Sequence, residues 1–243
     1  MGGEKVAIVT GGSGGIGAAI AKGFVEDGFL VLSLDQRPPE WSHDRLRAMD
    51  VDLCDAAATR AAAQAIMREH AVTHIVHNAG IVRANLVADV TDEDLHALTQ
   101  LHLGAGLILL QSALPGMQAA GFGRIILISS RAALGLPTRT AYSTTKAGMI
   151  GMARTWALEL APLGITVNVV APGPIEDTQV FASVLDPGSD RARKLAESIP
   201  VKRLGRSKDV AHAVKFFAAP ESSFITGQVL YVCGGASVGT ISI

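Results

Sequence analysis

Cysteine is nearly absent from this chain: its 243 residues hold two, Cys54 and Cys233, far apart and without a companion. That argues against a disulfide framework or a zinc site and leaves both as small buried hydrophobes, with no metal expected. Blocks of like charge are also absent. Lys+Arg 21 against Asp+Glu 22 gives a formal net charge of −1, which supplies no electrostatic reason to expect nucleic acid or an anionic membrane as a partner. No stretch reads as a twenty-residue apolar span, and Met1-Gly2-Gly3-Glu4-Lys5 runs straight into a strand-like segment without a cleavage site. A soluble cytoplasmic protein with no membrane partner is the expectation. Repeats and low-complexity linkers are missing too.

What is present is core material, 49% hydrophobic against 18% charged, in an alternating order. Residues 5–10 (K-V-A-I-V-T) read as a strand buried on both faces. The run G-G-S-G-G-I-G, residues 11–17, follows at once, then a helical pattern ended by Gly28 and a second apolar strand over 29–34 closed by Asp35. In such a β-turn-α-β unit Gly11, Gly15 and Gly17 let the backbone turn tightly and admit a pyrophosphate to the helix N-terminus, where free N–H groups favour negative charge. Asp35 is placed to accept from the hydroxyls of an adenosine ribose. An acid there repels a 2′-phosphate, so NAD(H) is favoured over NADP(H), although Arg37 is near enough to reach such a phosphate.

Residues 36–48 are too short and proline-rich for a full crossover helix. A third strand is expected over 49–53, with Asp52 at its end within reach of an adenine amino group. A helix over 55–70 and a strand over 73–77 lead into Asn78-Ala79-Gly80. Thr91, with Asp94 three residues on, caps a helix reaching about residue 117. Further strands are expected over 123–129, ending beside Ser130, over 165–170, broken by Pro172-Gly173-Pro174, and over 228–232. A polar, lid-like segment spans 176–207 and a helix 207–218. This alternation predicts an α/β fold: a single Rossmann-type doubly wound domain over 1–243, with a parallel seven-stranded sheet and helices on both faces. Ligands then bind beyond the carboxyl ends of the strands, where the glycine turn, Asp35, Asp52, Asn78-Ala79-Gly80, Ser130 and Pro172-Gly173 all fall. In the helix before the sixth strand, Tyr142 and Lys146 share a face. A neighbouring ammonium favours the phenolate, so Tyr142 is expected to have a lowered pKa and to exchange a proton with an alcohol or carbonyl.

With T-G-G-S-G-G-I-G (10–17), H-N-A-G (77–80), S-S (129–130), Y-S-T-T-K (142–146), I-T-V-N-V-V-A-P-G-P-I (165–175) and I-T-G-Q (225–228) in order, the chain resembles the classical short-chain dehydrogenase/reductase family over nearly its full length. The resemblance implies Tyr142 as general acid/base, Ser130 as hydrogen-bond donor to the substrate oxygen, and Lys146 as holder of the ribose hydroxyls. It implies cofactor contacts from Ser13 and Ile16 in the turn, from Leu53 beside Asp52, from Asn78, Ala79 and Gly80, and from Pro172, Gly173, Ile175 and Thr178. It also implies a homodimer or homotetramer paired partly through the Tyr142 helix.

Four positions depart from the family pattern. His102 stands where the family has its fourth catalytic residue, an asparagine, and an imidazole there is able to relay a proton or simply to pack. Counting back from Tyr142 lands on Ser129, whereas aligning the strand R-I-I-L-I lands on Ser130, the position preferred. Asp177 takes the place of a threonine, with Thr178 beside it. His77 replaces the commoner asparagine before Asn78. Substrate contacts are expected from Arg131 and Leu136 after Ser130 and from Phe181 in the lid. These suit a hydrophobic secondary alcohol or ketone, with Arg131 or Arg139 also able to take a carboxylate or a carrier phosphate. The resulting expectation is an NAD-dependent oxidoreductase acting on a secondary alcohol or ketone. The alternatives are an NADPH-dependent 3-oxoacyl-thioester reductase and a catalytically weak NAD-binding sensor.

Overall fold

Residues 4–186 and 188–238 are described by a computed structural model; the remainder of the 1–243 span expected as one domain lies outside the described residues. Seven parallel strands lie in the order β3-β2-β1-β4-β5-β6-β7. They are β1 (Val6–Thr10), β2 (Leu30–Asp35), β3 (Leu46–Asp50), β4 (His74–His77), β5 (Gly123–Ile128), β6 (Ile165–Pro172) and β7 (Val229–Val232). The helices are α1 (Gly15–Glu26), α2 (Ala56–Glu69), α3 (Asp92–Thr99), α4 (Ala105–Ala120), α5 (Thr140–Leu160), α6 (Gln179–Ala182), α7 (Asp190–Ser198) and α8 (Ser207–Ala218). The expected doubly wound parallel sheet is what forms.

Alternation along each strand builds two cores. Val6 and Ile8 of β1 face one apolar layer with Ile66, Leu109 and Trp156 of α2, α4 and α5. Ala7 and Val9 face the other, with Phe24 of α1 and Val214 and Phe217 of α8. Because both faces are covered in the middle of the sheet, β1, β2, β5 and β6 are largely apolar, buried runs, whereas the edge strand β3 is mostly exposed. The chain order reverses direction between β1 and β4, so their carboxyl ends open a crevice, the place where such sheets take ligands.

Three details differ from expectation. β3 begins at Leu46, with Asp50 opposite Asp35, so Asp52 and Leu53 fall in the loop beyond it. The alternating M-D-V-D-L looked like a strand, but Val51 and Leu53 are buried in the first core instead. The helix opened by Thr91 is interrupted at Gln100–Gly104 by one turn of π-helix. Finally, the continuous helix Asp92–Ala120 is long and apolar enough, by length and composition, to cross a membrane. Half of its most apolar stretch is buried inside the protein, and Leu109, Ala113 and Met117 belong to the first core.

Candidate active site

Thr10, the last residue of β1, laces the crevice together. Its Oγ1 accepts from the N–H groups of Asn78 and Ala79, both at 2.9 Å, and lies 3.0 Å from His77 Nδ1. With two N–H groups already donating to it, the hydroxyl donates to His77 Nδ1, which leaves Nε2 protonated to donate to the Leu101 carbonyl at 3.0 Å. Asn78 Nδ2 donates to the Thr10 and Gly11 carbonyls. The glycine turn is equally tight: Gly11 and Gly15 have φ of +66° and +50°, and a Cβ on Gly17 would lie 1.9 Å from the Gly11 oxygen. Gly14 at the N-cap of α1 supplies no side-chain cap, so among the described residues the first N–H groups of the helix are left to a ligand or solvent.

A dinucleotide fits this cradle, since the turn leaves backbone donors for a pyrophosphate and no room for side chains. Asp35 sits at the end of β2, its Oδ2 accepting from Ser13 N and its Oδ1 from Arg37 N, each at 3.2 Å. The Arg37 guanidinium reaches to within 4.0 Å of a Cβ placed on Gly14. Ile16 is half-buried against the second core. Exposed Asp52 accepts from Cys54 N at 2.8 Å, and the buried Leu53 offers only its carbonyl, 3.5 Å from Gln100 Nε2. Gly173 abuts Cys233, the Ile175 side chain is buried, and Thr178 Oγ1 donates to the Ile175 carbonyl at 2.9 Å. Thr178 also touches the glycine turn, its methyl 3.3 Å from a Cβ built on Gly15.

Across the crevice α5 presents Tyr142 and Lys146. The Lys146 ammonium is buried, donates to the Ile128 carbonyl at 2.7 Å and stands 5.7 Å from the centre of the Tyr142 ring. Burial lowers its pKa to about 7. The expected downward shift of Tyr142 is not what the structure gives. Burial is the largest influence and raises the phenol, opposed by hydrogen bonding with Ser130 and by the Arg139 guanidinium. Sequence spacing places the ammonium one turn away, but it points at a carbonyl and the desolvation of the phenol prevails. Of the two serines, Ser129 is buried and spends its hydroxyl on the Lys146 carbonyl at 2.7 Å, while Ser130 faces Tyr142.

The π-turn carries His102 into the same corner, edge-on to the Tyr142 ring. Its Nδ1 lies 2.8 Å from Thr145 Oγ1, whose hydroxyl is already placed to donate to the carbonyls of Ala141 and Tyr142. Nδ1 is therefore the protonated nitrogen, and Nε2 keeps a lone pair with no partner. That lone pair and the Lys146 ammonium converge on Gly80, 2.9 and 3.4 Å from a Cβ placed there. Burial, then the charge of Lys146, hold the His102 pKa far below its usual value, so the ring remains neutral and keeps its lone pair available.

Substrate contacts are expected from the loop after Ser130 and from the lid. Arg131 is half-buried and Leu136 exposed. Phe181 does not line the crevice: it turns into a small core of the lid's own, with Ala192, Ile199 and Leu204. Asp177 holds the lid's base, its Oδ1 accepting from the N–H and hydroxyl of Ser207 at 2.8 and 2.9 Å. Arg206 pairs with Glu176 beside it, and Ile175 bridges to Gly205. Sequence reasoning overlooked this staple, as well as Thr10 and Thr145. A threonine between the tyrosine and lysine of α5 was the one visible hint.

A family model described as enoyl-(acyl carrier protein) reductase matches residues 11–237. The chain is similar to "(2S)-[(R)-hydroxy(phenyl)methyl]succinyl-CoA dehydrogenase subunit BbsC" of Thauera aromatica, 36% identical over 96% of this chain and 94% of that protein. It is also similar to "3-oxoacyl-[acyl-carrier-protein] reductase FabG" of Vibrio cholerae, 36% identical over 95% of this chain and 96% of that protein. Among solved structures it resembles the ligand-free aldohexose dehydrogenase AldT of Thermoplasma acidophilum, with a TM-score of 0.91 and 33% identity, covering 99% of this chain and 97% of that one.

Proposed function

This chain belongs to the classical short-chain dehydrogenase/reductase family and is an NAD(P)-dependent oxidoreductase acting on CH–OH; from that premise we propose that it interconverts a secondary alcohol and ketone with NAD(H). The observation that carries the reading is the meeting of Tyr142, Ser130 and buried Lys146 at the open end of β5, opposite the glycine turn. The dinucleotide supplies or takes up the hydride. Tyr142 gives its proton to the substrate oxygen in reduction and removes it in oxidation, and Ser130 donates a hydrogen bond to the same oxygen as charge develops there. Gly11, Ser13, Gly15, Ile16 and Gly17 hold the pyrophosphate region, Asp35 the adenosine ribose, Asp52 and Leu53 the adenine side. Asn78, Ala79 and Gly80 line the floor with Lys146, while Pro172, Gly173, Ile175 and Thr178 close the nicotinamide end. His102 Nε2 offers its unpartnered lone pair beside the Lys146 ammonium at Gly80 and in that place steadies the proton path.

Asp35 supports NAD(H). The second reading, an NADPH-dependent 3-oxoacyl-thioester reductase, is supported by Arg37 reaching over Gly14 and by the likeness to the Vibrio cholerae reductase. Exposed Leu158 on α5, at 82% relative exposure, supports pairing through that helix into a homodimer or homotetramer. Two unpaired cysteines, one of them exposed, support a cytoplasmic setting.

The test is turnover with NAD(H) and with NADP(H) on secondary alcohols, ketones and acetoacetyl thioester. NAD(H) preferred on simple ketones is the expected result; a tenfold NADPH preference with thioester turnover establishes the second reading instead. In the same assay Tyr142→Phe is expected to cost about 10²- to 10⁴-fold in kcat with dinucleotide affinity retained. A near-normal rate overturns the mechanism.

A further inference from the structure

Two arginines of this protein are buried, and they are treated differently. Arg124, 2% exposed, is satisfied by main chain: its guanidinium donates to the carbonyls of Gly123, Gly164, Ala219 and Pro220. That is how a structural arginine is enclosed. Arg139, 8% exposed, spends only Nη1, on the carbonyl and hydroxyl of its neighbour Thr138 at 3.1 and 2.5 Å. Among the described residues its Nε and Nη2 have no hydrogen bond, and neither is sealed among the fully enclosed orphan atoms, so both keep access to a ligand from solvent. No carboxylate of the described residues lies within ion-pair reach of it. Asp94, linked to this loop through Asn85, which bridges to Arg139, is already occupied by Arg83 at 2.8 Å and Asn85 at 2.9 Å.

The setting holds Arg139 in place. Thr138 adopts a left-handed φ of +64°, and its carbonyl accepts from Asn85 N at 3.1 Å, pinning the loop to the segment after β4. Arg139 is itself the residue before the first turn of the 21-residue α5, and among the described residues its side chain does not cap that helix's N–H groups. A cation and a helix N-terminus thus meet three residues before Tyr142, and the guanidinium lies close enough to the phenol to act on its charge. A desolvated guanidinium with free N–H groups is a carboxylate receptor.

We propose that Arg139 binds a carboxylate of the substrate, so that the alcohol or ketone taken by this site is a hydroxy acid or oxo acid rather than a neutral compound. This rests on the oxidoreductase reading and narrows it. Anchoring one end of the substrate by two N–H donors leaves its carbinol or carbonyl carbon to settle between Tyr142 and Ser130. The neighbouring leucines Leu134 and Leu136 then border the remainder of the molecule.

The experiment compares kcat/KM for an oxo acid with that for its methyl ester. Wild type is expected to prefer the acid by about a hundredfold or more, and Arg139→Gln to collapse that ratio toward one. Arg139→Lys, which keeps the charge but not the fork, is expected to fall between. A wild-type ratio near one, or an unaltered ratio in Arg139→Gln, overturns the proposal; a merely structural arginine would depress acid and ester together. Calorimetric binding of butyrate to the dinucleotide-loaded protein provides a second readout. If neither acid nor ester turns over, the oxidoreductase reading fails by itself. Butyrate bound by wild type and lost in Arg139→Gln then still upholds the anion site, whereas equal or absent binding in both removes it.

Discussion

The glycine turn and the lid face each other across one crevice and are built on opposite principles. Around the turn, specificity resides in backbone and in buried hydroxyls: Thr10 holds two N–H groups, and the turn has no space for a Cβ at Gly17. The base of the lid is held at the surface by side chains, with Asp177 on Ser207, Arg206 on Glu176, and Arg203 on Asp209. A buried backbone cradle accepts one ligand shape and resists alteration. Surface ion pairs contribute on the order of 0–1 kcal/mol each and are easily exchanged. On the proposed reading, cofactor binding is therefore fixed in the half built by the glycine turn, and adjustment to a particular substrate is left to the half built by the lid.

The severest way to break this contrast is one methyl group. Gly17→Ala puts a carbon 1.9 Å from the Gly11 oxygen, against main chain that has no flexible end to give way. Overpacking of this kind costs about 1–3 kcal/mol, so dinucleotide affinity measured by nicotinamide fluorescence should fall roughly tenfold to a hundredfold, along with the thermal midpoint. Wild-type affinity in Gly17→Ala would show the turn to be as forgiving as the lid.

A smaller effect is expected from the lid. Asp177→Ala removes both acceptor contacts at the start of α8, a cap worth about 1 kcal/mol. Substrate KM should rise several-fold with kcat little altered, and protease should cut within residues 178–204 faster, while Asp177→Asn, which keeps an acceptor oxygen, restores both. An unchanged KM together with faster cutting would reduce the staple to a stability device.

The same contrast governs what the sequence disclosed. Strands covered on both faces must be apolar runs, and a turn that admits phosphate must be glycine, so the sheet, the crevice and the glycine turn were legible. Features that depend on packing direction were not. A single π-turn at Gln100–Gly104 scarcely disturbs the helical period, yet it aims His102 at Gly80 and Lys146. Phe181 reads as a pocket residue in an exposed segment until the lid's private core is seen. Tyr142 and Lys146 share a helix face as their spacing requires, but the separation along a helix does not disclose burial, and burial reverses the expected shift of the phenol.

The mildest test uses pH to separate the two halves. His74, His77 and His102 are buried and neutral, the first two with pKa lowered to about 4 by desolvation and His102 lower still. An unfolded histidine titrates near 6.5, so below that pH the unfolded chain binds protons that the folded one refuses. Stability rises with pH wherever the unfolded state binds more protons, and it is therefore lost as pH falls from about 6.5 toward 4. Lys146, with its pKa near 7, is protonated in both states through most of that window and adds little to the slope. In the lid the Arg203 guanidinium beside Asp209 holds its carboxyl below the usual range, so that pair outlasts the histidine window. Acidification from pH 6.5 to 5 should thus lower the thermal midpoint through the crevice floor, where His77 ties Thr10 to Leu101, before the lid's ion pairs weaken. His77→Asn removes one of the three protons and should reduce the slope of midpoint against pH by about one-third in that interval. An unaltered slope would place the acid sensitivity outside these histidines, and lid proteolysis rising ahead of the midpoint loss would reverse the order of the two halves.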